Sequence, residues 1–221
     1  MSIQQNLQLI KSKILDSVTL VAVSKTKPVS DLLEAYNAGQ RIFGENKIQE
    51  MTDKWEQMPK DIKWHMIGHV QSNKVKFMAE YVSLIHGVDS LKLLEEINKQ
   101  AIKQNRVIDC LLQMHIAEEE TKFGLNEQEL LDLLASENFK NLKNIRIIGL
   151  MGMATFTENK IQIKKEFNSL KSIFDTISKK PTTNNFHPTT LSMGMSGDYQ
   201  LAIDCGSTMI RIGSSIFGGR I

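Results

Sequence analysis

Lys25 ends an apolar run in the stretch Val21-Ala22-Val23-Ser24-Lys25-Thr26-Lys27-Pro28. The run over residues 18–23 is short and lacks polar alternation, which predicts a buried strand. Pro28 blocks further ladder pairing and stiffens the exit. Lys25 is therefore expected where a core strand stops, with its stem among apolar neighbours and its amine at the rim. Such a lysine can be a simple rim residue that snorkels to water. It can also be a desolvated amine beside a second cation, Lys27, and both effects favour the neutral form that attacks an aldehyde. Two later stretches bear on the choice: Ser192-Met193-Gly194-Met195-Ser196-Gly197-Asp198 and Arg211-Ile212-Gly213-Ser214-Ser215. Glycine lets backbone N–H groups approach an anion closely, and serine adds hydroxyl donors. Ordinary turns use the same residues, so either loop alone is weak evidence and the two together carry more. An amine, a phosphate cradle and an arginine would suit a phosphorylated aldehyde.

Other chemistry-bearing residues are less persuasive. His65 and His69 are four apart, a spacing that binds zinc on a helix. Here they straddle a strand end and its loop without a suitably spaced acidic ligand, so histidines that orient neighbouring groups are expected. Glu118-Glu119-Glu120 read as solvated carboxylates before a helix. Met151, Met153, Met193 and Met195 are soft filler at the mouth of the fold. Cys110 and Cys205 are distant and in apolar surroundings, predicting buried free thiols in a reducing cytoplasm and no cysteine metal site.

The elements that must position these residues follow from period and punctuation. Strands are expected over residues 18–23, 42–43, 64–67, 81–88, 107–114, 145–150, 189–192 and 208–212. Between them lie helical patterns: one capped by Ser30 and ending at Gly39, a polar one to Met58, and one over 71–80. Further on, Asp89-Ser90 caps the next, Asn126 and Glu129 pair at another through Leu134, and a long stripe runs over 163–177. Alternating strands and helices with short connections predict a parallel sheet covered by helices. Eight such units argue for a closed (β/α)8 barrel, with the site at the strands' C-terminal ends and the phosphate held after strands seven and eight. The stripe Ile3, Leu7, Ile10 and Ile14 predicts an extra N-terminal helix packing where the eighth unit has almost no helix of its own.

The 221 residues are 41% hydrophobic and 24% charged with a net charge of +2, as for a soluble globular chain. Interspersed charges give no electrostatic case for nucleic acid or an anionic membrane. Signal-peptide and membrane-span patterns are not apparent, so a cytoplasmic location is expected. No linker divides the chain, and residues 1–221 are read as one domain.

Several motifs, taken in order, resemble one family. They are Ala22-Val23-Ser24-Lys25-Thr26-Lys27-Pro28, Phe43-Gly44-Glu45-Asn46, the segment from Trp64 to Lys74, Gly149-Leu150-Met151, Leu191 to Asp198, and Arg211 to Gly218. Together they are similar to the pyridoxal phosphate homeostasis proteins. The resemblance implies an alanine-racemase-like TIM barrel of PLP fold type III, with pyridoxal 5'-phosphate (PLP) held as a Schiff base, a covalent aldimine, on Lys25. It further implies that Asn46 lies near the cofactor, that Arg211 faces the pyridine nitrogen, and that Gly213 and Ser214 bind phosphate with Ser192 and Ser196 nearby. The implied role is PLP balance without established turnover. Two departures stand out: His115 stands where the family usually has asparagine, although Glu119 and Lys122 fit, and Gly152-Met153-Ala154-Thr155 replaces a commonly proline-containing stretch.

Arg211 bears on the chemistry this implies. A guanidinium only donates, so the ring nitrogen it faces stays without a proton, and PLP then works poorly as an electron sink. Racemisation needs a second acid/base opposite Lys25. In alanine racemases, by resemblance, an additional β domain supplies it, and a chain ending at Ile221 is expected to lack one. Three functions are carried forward: a PLP carrier or regulator, a slow PLP-dependent amino-acid racemase, and a phosphosugar-binding barrel in which Lys25 acts without PLP. For the carrier, the expected partners are PLP and either apo PLP-dependent enzymes or amino acids, with no nucleic acid or membrane, and a monomer is expected.

Overall fold

The computed structural model describes residues 2–118 and 123–219. Eight strands run parallel in chain order and close into a barrel: β1 (Thr19–Val23), β2 (Ile42–Glu45), β3 (Lys63–Met66), β4 (Val82–Val88), β5 (Ile108–Met114), β6 (Ile145–Gly152), β7 (Phe186–Ser192) and β8 (Met209–Ile212). Ala22 of β1 pairs with Phe43 of β2 on one side and with Ile212 of β8 on the other, which closes the cylinder. The helices are α1 (Ile3–Lys11), α2 (Val29–Asn37), α3 (Ile48–Gln57), α4 (Leu91–Lys103), α5 (Glu127–Ala135), α6 (Glu137–Lys140), α7 (Lys160–Ser178), α8 (Tyr199–Asp204) and α9 (Ser214–Phe217). The TIM barrel expected from the alternation is the fold.

Local details differ where short-range chemistry overrides the pattern. The helix expected over 71–80 is a 3₁₀ turn, Ser72–Phe77. Ser72 and Asn73 are weak helix formers and Val75 is the turn's one buried residue, so little packing favours full α turns. α2 starts at Val29 with Pro28 at the N-cap and no side-chain cap bond, so Ser30 lies inside the first turn. Proline's fixed φ makes it suited to that entry. β7 starts at Phe186, earlier than expected. Asn185 anchors its start, donating through Nδ2 to the carbonyls of Phe139 (2.7 Å) and Leu142 (3.1 Å).

Strand side chains alternate between two cores. Leu20, Ala22, Phe43, Trp64, Ile85, Leu112, Ile147 and Ile210 face outward and pack in the layer under the helices. Val21, Leu84, Leu111, Met151 and Met209 point inward and form a smaller apolar cluster. Two residues further along β4 and β8, on the same inward face, stand His86 and Arg211. The barrel interior thus changes from an apolar layer to a polar one as it approaches the strands' C-terminal ends. α1 packs against α9 as predicted from the element count, and Asn6 Nδ2 donates to the Ile216 carbonyl at 3.0 Å. No helix among the described residues is long and apolar enough to cross a membrane.

Candidate functional site

A cavity of about 840 Å³ opens at the C-terminal end of the barrel. Lys25, Asn46, Ser196, Arg211, Gly213 and Ser214 all line it, joined by Lys27, Gln113, Met153 and Phe123. Ser192 is not on the wall. Its side chain is fully buried beneath the cavity, against Arg211 and His86.

Lys25 is half-buried and sits two residues past β1, in a turn gripped from below. The Ser24 hydroxyl donates to Glu45 Oε1 at 2.7 Å. Lys54 Nζ, reaching in from α3, donates to the Ser24 carbonyl (2.8 Å), Glu45 Oε1 (2.7 Å) and Glu50 Oε1 (2.7 Å). Glu50 Oε1 in turn accepts the Thr26 N–H at 2.6 Å. Thr26 has φ +64°, a left-handed conformation that a threonine adopts only when its surroundings impose it. Both residues flanking Lys25 are therefore held by one buried ion cluster. Burial raises the Glu45 carboxyl above its ordinary range despite the Lys54 charge beside it, and Glu45 Oε2 has no hydrogen-bond partner among the described residues. This cluster was not anticipated from the sequence. Its signal was present: Lys54 continues the three-residue spacing of Ile48 and Met51 on the buried face of α3. Asn46 follows β2, where the backbone passes so close that a Cβ on Gly68 would lie 2.4 Å from the Asn46 carbonyl oxygen.

The two glycine- and serine-rich loops meet beside the Lys25 turn, on the adjacent wall above β7 and β8. Ser196 Oγ accepts the N–H of Gly213 at 3.2 Å and that of Ser215 at 3.5 Å. Asp198 Oδ1 caps the first loop by accepting the Met195 N–H at 2.6 Å, and burial raises its carboxyl. Gly194 has φ +97°, and a Cβ there would lie 2.6 Å from Ala202 Cβ, so this turn requires glycine. Lys27 Nζ donates to the Gly219 carbonyl at 2.9 Å and ties the segment after α9 to the cavity rim. The hydroxyls of Ser196 and Ser214, the former fixed by two backbone N–H groups, and the cationic side chains of Lys25, Lys27 and Arg211 around the same cavity make a donor set suited to an anion. The arrangement fits the phosphate, aldehyde and ring acceptor of PLP.

Arg211 lies at the cavity floor, only 4% exposed. Nη1 donates to the Ser192 carbonyl (3.0 Å) and Oγ (2.7 Å), and Nη2 donates to the Gly152 carbonyl (3.1 Å). Burial lowers its pKa to about 10, opposed by the nearby Asp198 charge, and it remains a cation at neutral pH. The two spaced histidines go separate ways. His65 points into the barrel and meets His86, Nδ1 to Nε2 at 3.0 Å. His69 pairs with Asp89 at 3.6 Å and stacks on Phe123 with ring centroids 4.9 Å apart. Among the described residues no group of three His, Cys, Asp or Glu could hold a metal ion. Glu118 pairs with Lys165 at 3.6 Å, whereas Glu119, Glu120 and Lys122 lie outside the described residues. His115, the departure noted above, is exposed.

The family model for the N-terminal domain of alanine racemase matches residues 1–221. The pyridoxal phosphate homeostasis protein of Haemophilus influenzae is 38% identical over 233 residues, which span 100% of this chain and 97% of that protein. The chain belongs to the pyridoxal phosphate homeostasis protein family. The structure of PipY from Synechococcus elongatus with PLP bound, 33% identical, superposes with a TM-score of 0.88 and covers 98% of this chain and 100% of that one. Alanine racemase from E. faecalis, at 15% identity, shares the fold alone, with a TM-score of 0.76 over 99% of this chain and 58% of that one. Across this family barrel, the family-like motifs at Lys25, Asn46, Ser196 and Arg211 converge on one cavity.

Proposed function

We propose that this chain binds PLP in the barrel-end cavity, holds it as a Schiff base on Lys25, and serves intracellular PLP homeostasis. The observation that carries the reading is the convergence on one cavity of Lys25 after β1, Ser196 after β7, and Arg211, Gly213 and Ser214 on β8 and after it. PLP in PipY and the homeostasis role named for the Haemophilus protein support it. When bound, PLP brings an aldehyde, a phosphate and a pyridine ring whose nitrogen accepts a hydrogen bond. Lys25 supplies the amine, held in place by the ion cluster under Ser24 and Thr26. Ser196 and Ser214 would hold the phosphate, with the N–H groups of Gly213 and Ser215 fixing the Ser196 hydroxyl. Asn46 flanks the ring, and Arg211 donates to the ring nitrogen. Ser192 serves through Arg211, which its carbonyl and hydroxyl both anchor.

A guanidinium donor keeps a proton off that nitrogen, which favours storage over electron-sink chemistry. In this reading the protein is a cytoplasmic monomer that passes PLP to apo PLP-dependent enzymes or to amino acids. Its two thiols, Cys110 and Cys205, are free and buried, as a reducing compartment permits. The test is a visible spectrum of the purified protein before and after borohydride, with the reduced adduct mapped by mass spectrometry. Lys25→Ala should lose the visible band and the adduct while staying folded, because a half-buried rim amine adds little packing. An adduct on Lys27 or Lys74 in the wild type would overturn the assignment.

A further inference from the structure

Inside the barrel, between the apolar layer and the cavity, four side chains form a continuous polar chain. His65 Nδ1 lies 3.0 Å from His86 Nε2, His86 Nδ1 lies 3.2 Å from Ser192 Oγ, and Ser192 Oγ accepts Arg211 Nη1 at 2.7 Å. The chain crosses the cylinder, from β3 and β4 on one wall to β7 and β8 on the other. All four side chains are at most 5% exposed. We propose that His86, backed by His65 and acting through Ser192, is a positioning residue that fixes the Arg211 guanidinium at the cavity floor. The proposal rests on the reading that Arg211 faces the PLP ring.

Counting donors gives the chain its direction. Arg211 can only donate, so Ser192 Oγ must accept from it. The serine keeps one proton to donate, and His86 Nδ1 is in reach as its acceptor. His86 then carries its own proton on Nε2 and donates it to His65 Nδ1, the tautomer pair this assignment requires. Burial holds His86 well below its ordinary pKa, with neighbouring His65 and the Arg211 charge adding to the effect, and burial lowers His65 to about 3. Both rings are neutral at working pH, as the acceptor and donor roles demand. Among the described residues no carboxylate bonds to Arg211. Its partners are neutral oxygens, so their geometry, not a counter-ion, decides where the guanidinium points. A serine hydroxyl with a free torsion cannot aim an arginine unless something fixes the torsion, and the His86 ring does that.

The test uses PLP as probe and compares three substitutions at His86 with Arg211→Gln. Asn Oδ1 can take the place of His86 Nδ1, whereas Gln reaches only the Nε2 position and Phe supplies neither. His86→Phe and His86→Gln should shift the absorbance maximum of bound PLP and weaken its retention about tenfold, the effect of about 1.4 kcal/mol. His86→Asn should keep the wild-type maximum and affinity, which a purely space-filling role would not produce. Ser192→Ala, smaller and easier to accommodate, should reproduce the His86→Phe spectrum even if that variant folds poorly. If His86→Phe, His86→Gln and Ser192→Ala all match wild type while Arg211→Gln shifts the band, the positioning role is wrong. If Arg211→Gln also leaves the band and affinity unchanged, the reading of Arg211 itself fails.

Discussion

Lys54→Met should destabilise this protein by about 3–5 kcal/mol at pH 8, the cost of removing one partner of a buried ion pair. The size follows from what remains. Glu45 is 0% exposed, and its Oε1 would keep only the Ser24 hydroxyl, while Oε2 already has no partner among the described residues. The Ser24 carbonyl would lose its 2.8 Å ammonium donor as well. Methionine matches the lysine stem closely, so lost packing adds little. Glu45→Gln in the Lys54→Met background removes the stranded charge and should return the protein to within about 1 kcal/mol of wild type. The sign of the pH effect is also fixed. Burial already raises the Glu45 carboxyl, and without Lys54 it rises further, so the folded variant binds a proton that the unfolded chain has released. Stability of Lys54→Met should therefore fall as pH rises above the ordinary carboxylate range, and the variant should be closer to wild type at pH 5.5 than at pH 8. Urea unfolding followed by circular dichroism at both pH values measures all of this. A cost below about 1 kcal/mol at pH 8, or a Glu45→Gln change that adds to the damage rather than repairing it, would refute the reasoning.

Two further outcomes are expected. His65 is buried with its pKa lowered to about 3, so the unfolded chain, titrating near the ordinary 6.5, takes up the proton first as the pH falls. Its contribution is complete above pH 6.5 and is lost on acidification, by about 2 kcal/mol at pH 5, and urea midpoints that stay flat from pH 7 to 5 would contradict it. Ser196→Ala combined with Ser214→Ala should weaken PLP about a hundredfold or more, at about 1.5–3 kcal/mol per bond to a charged group, and leave pyridoxal nearly unaffected. Equal losses for the two ligands, measured by fluorescence titration, would place the phosphate elsewhere.

The barrel was legible because strand and helix periods are local properties, and so was the site's main outline. Lys25 and the two serine loops each follow a strand, Arg211 stands near the end of β8, and barrel geometry sends every strand end to one face. Resemblance implies Ser192 near the phosphate positions; it is the last residue of β7, and its parity turns it inward beneath the cavity floor. The ion cluster under Lys25 was missed because Glu45, Glu50 and Lys54 come together only when α3 lies on β2, and the spacing that carries Lys54 inward does not name its partners. His86 was missed for the same reason, sitting in an apolar strand with partners on the far wall. The 3₁₀ turn at Ser72–Phe77 escaped because a polar helix and a polar turn share a composition.

The pairing of β1 with β8 has a kinetic consequence. Ala22 and Ile212 meet from nearly opposite ends of the chain, and Lys25 and Arg211 share a wall only after that seam closes. A growing chain that has made β1 through β7 carries the amine but lacks the Arg211 and Ser214 side of the pocket. The final closure carries the largest loop-entropy cost of any strand pairing in the molecule and is expected to be slow. A ligand that bridges the seam binds the closed cylinder and not its precursors, so by mass action it stabilises the finished barrel in proportion to its occupancy. Capture of such a ligand would thereby report that the cylinder has closed.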